Sequence, residues 1–426
     1  MLVGKYFYLP WLMRNERRSR DELTHIQNTK LKRLIHHVYE NVGFYRNVFK
    51  KAGIRPEDIR SVDDLSYLPI IDKKTFYGED ISEYLDRRIT DINKLINIKT
   101  SGTSGSTLSF YIDPKYDQYR KALYLRPYLS NGRKLTDTVL QFSIFETREK
   151  KWFQCIGLMR VETVGSNEDV ETQIRRIKKL RPSIIQGYGS VLALVASTVL
   201  AEKIDIPPPR IVFTDSELLT PSIRHKIEQA FRAPIIDIYG TFETDNIAYE
   251  CSEHNGYHIA MDSVVMEFIK DGRQVKPGEQ GEIVCTVLDN YAMPFIRFNL
   301  HDTACFINEN CTCGRSFPLM AMIGGRLDDY LLYPDGRKQS PMRMVGHFDL
   351  LADAISEFQI IQKAINNFEV KIVSCSLMSE VLERKVRETV WNEFPSANVI
   401  VKFVDTIDRE PSGKFRSVKS LAGNEV

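Results

Sequence analysis

From about residue 95 to 325, short β-rich runs such as TVLQFSIF, SIIQGYG, IVFTD, PIIDIYG and GEIVCTVL alternate with helical stretches such as DVETQIRRIKKL and TPSIRHKIEQAF. A chain patterned in this way buries both faces of its strands by laying helices over a sheet. The pattern therefore predicts α/β layering with parallel strands, and it puts loop motifs at strand ends. Residues 20 to 90 carry helical stripes and turn signals. In LTHIQNTKLKRLIHHVYENV, Leu31, Leu34, Ile35 and Val38 recur at spacings of three and four, as on one face of a helix. His36 and His37 lie inside that helix, where only one can share the apolar face, and both are read as structural. After Asp328 a Pro-Asp-Gly turn leads into FQIIQKAINNFEVKIVSC, the helix-like SEVLERKVRETVWNEF and the strand-like NVIVKFV. The expected architecture is a large layered α/β N-terminal domain and a small, mobile α+β C-terminal domain. Residues 1–90 form the helical part of the large domain, 91–327 the rest, and 328–426 the small domain.

The charge balance narrows the function classes. Lys and Arg number 58 against 56 acidic residues, and neither sign gathers into a run that marks a nucleic-acid groove or a polybasic membrane patch. Small-molecule chemistry is expected, with no nucleic-acid partner. No stretch reaches the roughly 18 apolar residues that span a bilayer, so a cytoplasmic protein without a transmembrane segment is expected. The opening MLVGKYFYLPWLMRNERRSR is apolar and then basic. Its Tyr, Leu and Trp residues are expected to pack on its own domain, a membrane surface or a partner being the alternative. Seven cysteines in a long chain without an export signal argue against a disulfide framework.

The strongest local signal is Thr100, Ser101, Gly102, Thr103, Ser104, Gly105, Ser106 and Thr107, after the strand-like LINIK. Small hydroxyl side chains and two glycines let backbone N–H groups close around phosphate oxygens. The run lacks the spacing of a Walker loop. Four further motifs follow in order: Tyr239-Gly240-Thr241-Phe242-Glu243, Arg297 to Asp302, Gly325-Arg326-Leu327-Asp328-Asp329, and Pro411-Ser412-Gly413-Lys414. Singly, each has an ordinary reading as a cap, a turn or a hairpin tip. Together they resemble the adenylate-forming superfamily of acyl-CoA synthetases and adenylation domains, and most nearly its phenylacetate-CoA ligase and CapK-like branch. The segments LKRLIHHVYENVGFYRNVFKKAGI, DDLSYLPIIDKKTF, PGEQGEIVCTVLDNYAMPFIRF and CTCGR belong to the likeness, which spans nearly the whole chain.

The resemblance implies ATP-dependent activation of a carboxylate as acyl-AMP and transfer to CoA. Its alternative is an amine acceptor, or adenylyl transfer, in capsule, polysaccharide or cofactor biosynthesis. By position, the Thr100 to Thr107 loop would hold the β- and γ-phosphates. Asp215, Ser216, Glu217, Tyr239, Gly240 and Thr241 would line the adenine pocket. Glu243 would hold Mg²⁺, Asp302 the ribose hydroxyls, and Arg326 the ribose or phosphate. Asp328 occupies the hinge position, and Lys414 matches the lysine that reaches the α-phosphate and the attacking carboxylate. Three departures stand out: Phe242 replaces a Thr or Ser, Asn299-Leu300-His301 replaces a Thr-Gly run, and the loop lacks Lys and Pro after its second glycine.

A second constellation is Cys251, His254, His258, Cys311 and Cys313. A Cys-x-Cys-Gly knuckle turns two thiolates toward one tetrahedral ion, and Cys251 with one histidine completes a structural Cys₃His zinc site. His258 is preferred because Gly-x-His opening a strand resembles the branch's pattern; His254 is the alternative. Cys155, Cys285, Cys305 and Cys375 lie in apolar runs and are read as core. Phe142, Phe145, Tyr188 and Phe242 would suit an aryl or other flat acid as acyl substrate, and are equally ordinary as core.

Overall fold

The computed structural model describes residues 4–76, 80–99, 109–143, 152–324, 331–339, 342–349, 351, 354–374, 380–409 and 415–422. They form two compact units, each drawn from two stretches of chain. One unit comprises Met1–Gly132 with Ile238–Met322, the other Arg133–Asp237 with Ile323–Val426.

The first unit opens with helices Gly4–Asn15, Arg20–Asn41 and Gly43–Ala52, followed by short 3₁₀ turns. Ser19 starts the second helix with a capping box: its hydroxyl accepts from the Glu22 amide at 3.2 Å, and the Glu22 carboxylate accepts from the Ser19 amide at 3.0 Å. The predicted stripe of Leu31, Leu34, Ile35 and Val38 is fully buried. His37 is buried beside the Tyr291 carbonyl at 3.0 Å. The amino-terminal helix packs on its own unit: Leu12 is buried, and Tyr8 meets Tyr119 edge-on with ring centres 5.3 Å apart.

The sheet of this unit runs Arg273–Gln274, Val264–Lys270, Gly281–Val287, Phe298–Ile307, Leu319–Gly324, Tyr257–Ile259, Asp245–Tyr249 and the end of Ile235–Thr241. The registers described within it are antiparallel. This corrects the expectation of parallel strands throughout: between Ile235 and Gly324 no helix separates successive strands, so loops without a crossover helix connect them.

The second unit holds the predicted parallel layering. Val161–Gly165, Val139–Ser143, Ile184–Gly187 and Ile211–Asp215 lie side by side in that order, the register of each neighbouring pair being parallel. Helices Val170–Leu180, Gly189–Ala201 and Pro221–Phe231 follow the strands in sequence and share a buried core with them. A second, four-stranded sheet runs Asn398–Phe403, Asn367–Ser374, Ile355–Ala364 and Val418–Ser420. Helix Glu380–Trp391 packs Leu382, Val386 and Val390 into its core.

Cys155 is exposed, against expectation, because its helix is a four-residue piece, Trp152–Cys155, too short to build a buried stripe. Cys285 and Cys305 are buried as expected, and Cys375 lies outside the described residues. Among the described residues no helix is long and apolar enough to cross a membrane.

Candidate functional site

The Tyr239 to Glu243 motif is the turning point of an antiparallel hairpin in which Gly240 faces Asn246 and Thr241 faces Asp245. Only glycine fits at 240, since a Cβ there would lie 2.2 Å from the Asp245 carbonyl oxygen. Thr244 closes the turn by accepting from the Thr241 amide at 3.3 Å. Asp245, held at φ 63°, is paired with Arg120. Burial pushes the Asp245 carboxyl up, and the Arg120 guanidinium works against that.

The tight turn sends Glu243 inward, where it is 5 % exposed. Lys73 Nζ stands 3.1 Å from its Oε1, yet among the described residues that oxygen accepts no hydrogen bond. A buried carboxylate oxygen balanced only by a nearby charge suits a hard cation. On the strand Phe298–Ile307, Asp302 accepts a 2.8 Å hydrogen bond from the Tyr239 hydroxyl, so two motifs far apart in sequence meet. Arg297 is spent on structure: it is buried, bidentate to Glu267 at 2.9 and 3.1 Å, and bonded to the Leu68 carbonyl.

In the second unit, Asp215, Ser216 and Glu217 follow the strand Ile211–Asp215, with Ser216 at φ 67°. The Ser216 hydroxyl bonds Asp215 at 2.9 Å. Glu217 is half-buried as a residue, but both oxygens of its carboxylate are engaged. They accept from the Ser190 amide at 2.9 Å, the Ser190 hydroxyl at 3.0 Å and the Phe415 amide at 2.8 Å. Burial raises its pKa, with those hydrogen bonds opposing. Of the aromatic candidates, Phe142 is core, 3 % exposed; Tyr188 is half-buried, its phenol pushed up to about 12 by burial and by Asp215 and Glu217; Phe242 is 41 % exposed.

Several expected residues lie outside the described residues: Thr100 to Thr107, Phe145, Arg326, Asp328 and Lys414. Lys73 and Arg120 were missed by sequence reasoning. Lys73 stands in the quoted segment PIIDKKTF, which was its only signal, and nothing local marks Arg120.

The Cys/His constellation closes on one point. The ligand atoms of Cys251, His258, Cys311 and Cys313 all lie within 4.8 Å of one another. Cys251 Sγ is 3.5 Å from Cys311 Sγ, and Cys313 Sγ is 3.3 Å from His258 Nε2. His254 instead points to Glu250, 3.6 Å away. Gly256, at φ 113°, leaves room for the Met320 carbonyl 2.7 Å from where a Cβ would be. Burial pushes the Cys251 thiol up to about 12. Burial also acts to raise Cys313, but the Arg315 amide, the two neighbouring thiols and the Arg315 charge hold it below the ordinary thiol value. His258 is lowered to about 4 by burial and by Arg315, so its imidazole is neutral and fit to ligate. Three sulfurs and one neutral nitrogen, two of the four residues buried, suit zinc in a closed tetrahedral site.

Residues 331–421 match the CapK C-terminal domain family. Protein CapK of Staphylococcus aureus is 24% identical over 417 residues, covering 94% of this chain and 89% of that protein. A phenylacetate-coenzyme A ligase of Thermus thermophilus is 24% identical over 394 residues, with 88% and 85% covered. Among solved structures, a 2-hydroxyisobutyryl-CoA ligase in the postadenylation state superposes with a TM-score of 0.79 at 18% identity, covering 97% of this chain and 92% of that one. The motif order, the α/β layering and these likenesses agree: over most of its length the chain is similar to CapK and the phenylacetate-CoA ligases, and it shares its fold with the 2-hydroxyisobutyryl-CoA ligase.

Proposed function

We propose that the chain is an AMP-forming carboxylate–CoA ligase of the phenylacetate-CoA ligase type, working in the cytoplasm on a small aryl or other flat acid. The observation that carries the reading is the Tyr239–Glu243 hairpin, which buries a carboxylate oxygen that accepts no hydrogen bond among the described residues, while Tyr239 ties down Asp302. In the first half-reaction a carboxylate oxygen of the acid attacks the α-phosphorus of ATP. The bond to the β,γ-phosphates breaks and pyrophosphate leaves with the electron pair. In the second, the CoA sulfur attacks the acyl carbon, the C–O bond to AMP breaks, and the thiol proton is lost to solvent.

Glu243 would hold Mg²⁺, whose charge offsets the negative charge gathering on the phosphates. Asp302 would accept from the ribose hydroxyls, its second oxygen steadied by Tyr239. Thr100, Ser101, Gly102, Thr103, Ser104 and Gly105 would cradle the phosphates; Ser216, Tyr239, Gly240 and Thr241 would border the adenine. Arg326 and Lys414 would add positive charge at the ribose and α-phosphate, and Asp328 would serve as hinge between the two halves. Cys251, His258, Cys311 and Cys313 would hold a structural zinc, with no open position for chemistry.

The test is acid-dependent exchange of label between pyrophosphate and ATP over a panel of aryl, fatty, amino and sugar acids. Exchange by the wild type, lost in Glu243→Gln, is expected; no exchange with any acid would sink the reading. CoA thiol consumed in step with AMP release separates the ligase from an enzyme that passes its adenylate to an amine or hydroxyl. The likeness to CapK, as close in identity as that to the ligase, is what keeps that second acceptor in view.

A further inference from the structure

Glu217 carries a contact that a nucleotide-lining residue has no need of. Its Oε1 accepts from the Phe415 amide at 2.8 Å, 198 residues away in sequence, and from the Ser190 hydroxyl; its Oε2 accepts from the Ser190 amide. Ser190 lies in the first turn of the helix Gly189–Ala201, whose first amides have no partner within the helix itself, so the carboxylate is fixed at a helix start on one side. On the other side it accepts from the Phe415 amide. The following residues are tied to the small sheet: the Arg416 carbonyl accepts from Gln359 at 2.9 Å, the Ser417 carbonyl from the Ile360 amide at 2.8 Å, and Val418 pairs with Ile360. Arg409, paired with Glu357, lies over the Phe415 ring with 4.5 Å to its centre. The carboxylate thus joins the Ile211–Asp215 layer to the segment that follows Lys414.

We propose that Glu217 is a positioning residue, an anchor that holds the Phe415 end of the C-terminal segment for the first half-reaction, and not a contact to the adenine. The inference rests on the ligase reading, in which Lys414 serves adenylate formation and is withdrawn for thioester formation. An anchor of this kind is required in the first half-reaction and dispensable in the second.

Three measurements on the full chain test it: pyrophosphate exchange, thioester formation from preformed acyl-AMP and CoA, and deuterium uptake of peptides containing the Phe415 amide. For Glu217→Ala the expected result is an exchange kcat reduced ~10- to 100-fold, the effect of losing a charge-assisted hydrogen bond. KM for ATP should stay within about twofold, in keeping with a role away from the nucleotide. Thioester formation should lose far less than exchange, and uptake at the Phe415 amide should quicken while peptides of Ile355–Ala364 stay as in the wild type. Glu217→Gln keeps an acceptor oxygen and should fall between Ala and wild type; a Gln variant equal to Ala overturns the hydrogen-bond account. Exchange unchanged in Glu217→Ala, KM for ATP and acyl-AMP raised together, or unchanged uptake at Phe415 each overturns the proposal. A wild type that exchanges with no acid defeats the ligase reading, and the deuterium measurement still decides the anchor.

Discussion

His37 is a buried imidazole whose pKa is lowered from the usual 6.5 chiefly by burial. Asp86 stands 3.7 Å away, but its carboxylate is already committed to Arg88 at 2.7 Å, so it offsets burial only in part. In the unfolded chain His37 takes up a proton near its ordinary value; in the fold it resists until lower pH. The fold therefore holds His37's full contribution above pH 6.5 and loses it as pH falls below that value toward the folded pKa. Urea midpoints taken between pH 7 and pH 5 are expected to fall, and His37→Gln to flatten that slope; an equal slope in the variant would refute the assignment. Sequence alone pointed to one of the two neighbouring histidines as buried, because helical spacing decides which face meets the core. The resemblance named Glu217 but not its contact with Phe415, and nothing named Arg120; their partners lie 198 and 125 residues away. Tyr239, Glu243 and Asp302 were named through the resemblance, which rests on the order of several motifs, since each motif taken singly reads as an ordinary cap or turn.

At the scale of elements, the hairpin at Gly240 is the sharpest constraint. The atom that a Cβ would meet is a backbone oxygen, which moves only with the strand that bears it. Gly240→Ala should therefore cost about 2–4 kcal/mol or shift the hairpin. Either outcome would displace Tyr239 from Asp302, so pyrophosphate exchange should fall with stability; wild-type values of both would show the turn to be more tolerant than its geometry. The Cys/His knuckle joins two loops and a strand of the same sheet, and Arg315 links it to Glu16 at 3.1 Å. One zinc per chain is expected by elemental analysis, with chelation lowering the melting temperature and Cys311→Ser removing the metal. Equal melting temperatures before and after chelation would argue against a structural ion. Strands and helices were read well because periods of two and 3.6 are local. The antiparallel pairing was not, since strand direction is set by the length of the connections, and runs of similar composition serve both sheets.

The whole molecule is organised by contacts that the order of the chain hides, since each compact unit takes two separated stretches. Texture marks a change near residue 328, but which stretches share a core depends on pairs such as Arg126 with Asp262, 136 residues apart. Both side chains are fully buried; Arg126 Nη1 bonds both Asp262 oxygens at 2.9 Å, and Asn15 adds a third bond at 2.8 Å. The guanidinium also lies over Phe317 at 5.2 Å, while its Nε and Nη2 have no hydrogen-bond partner among the described residues. Removing one charge leaves the other buried and uncompensated, so Arg126→Met or Asp262→Leu alone should cost about 3–5 kcal/mol. Removing both relieves that charge and the unpartnered N–H groups, and leaves only the Asn15 amide without its acceptor, a residual cost of about 1–3 kcal/mol. The double variant should thus be more stable in urea than either single one, with a coupling of at least about 2 kcal/mol in the mutant cycle. Costs that simply add would mean that packing, and not the ion pair, joins the two stretches of the first unit.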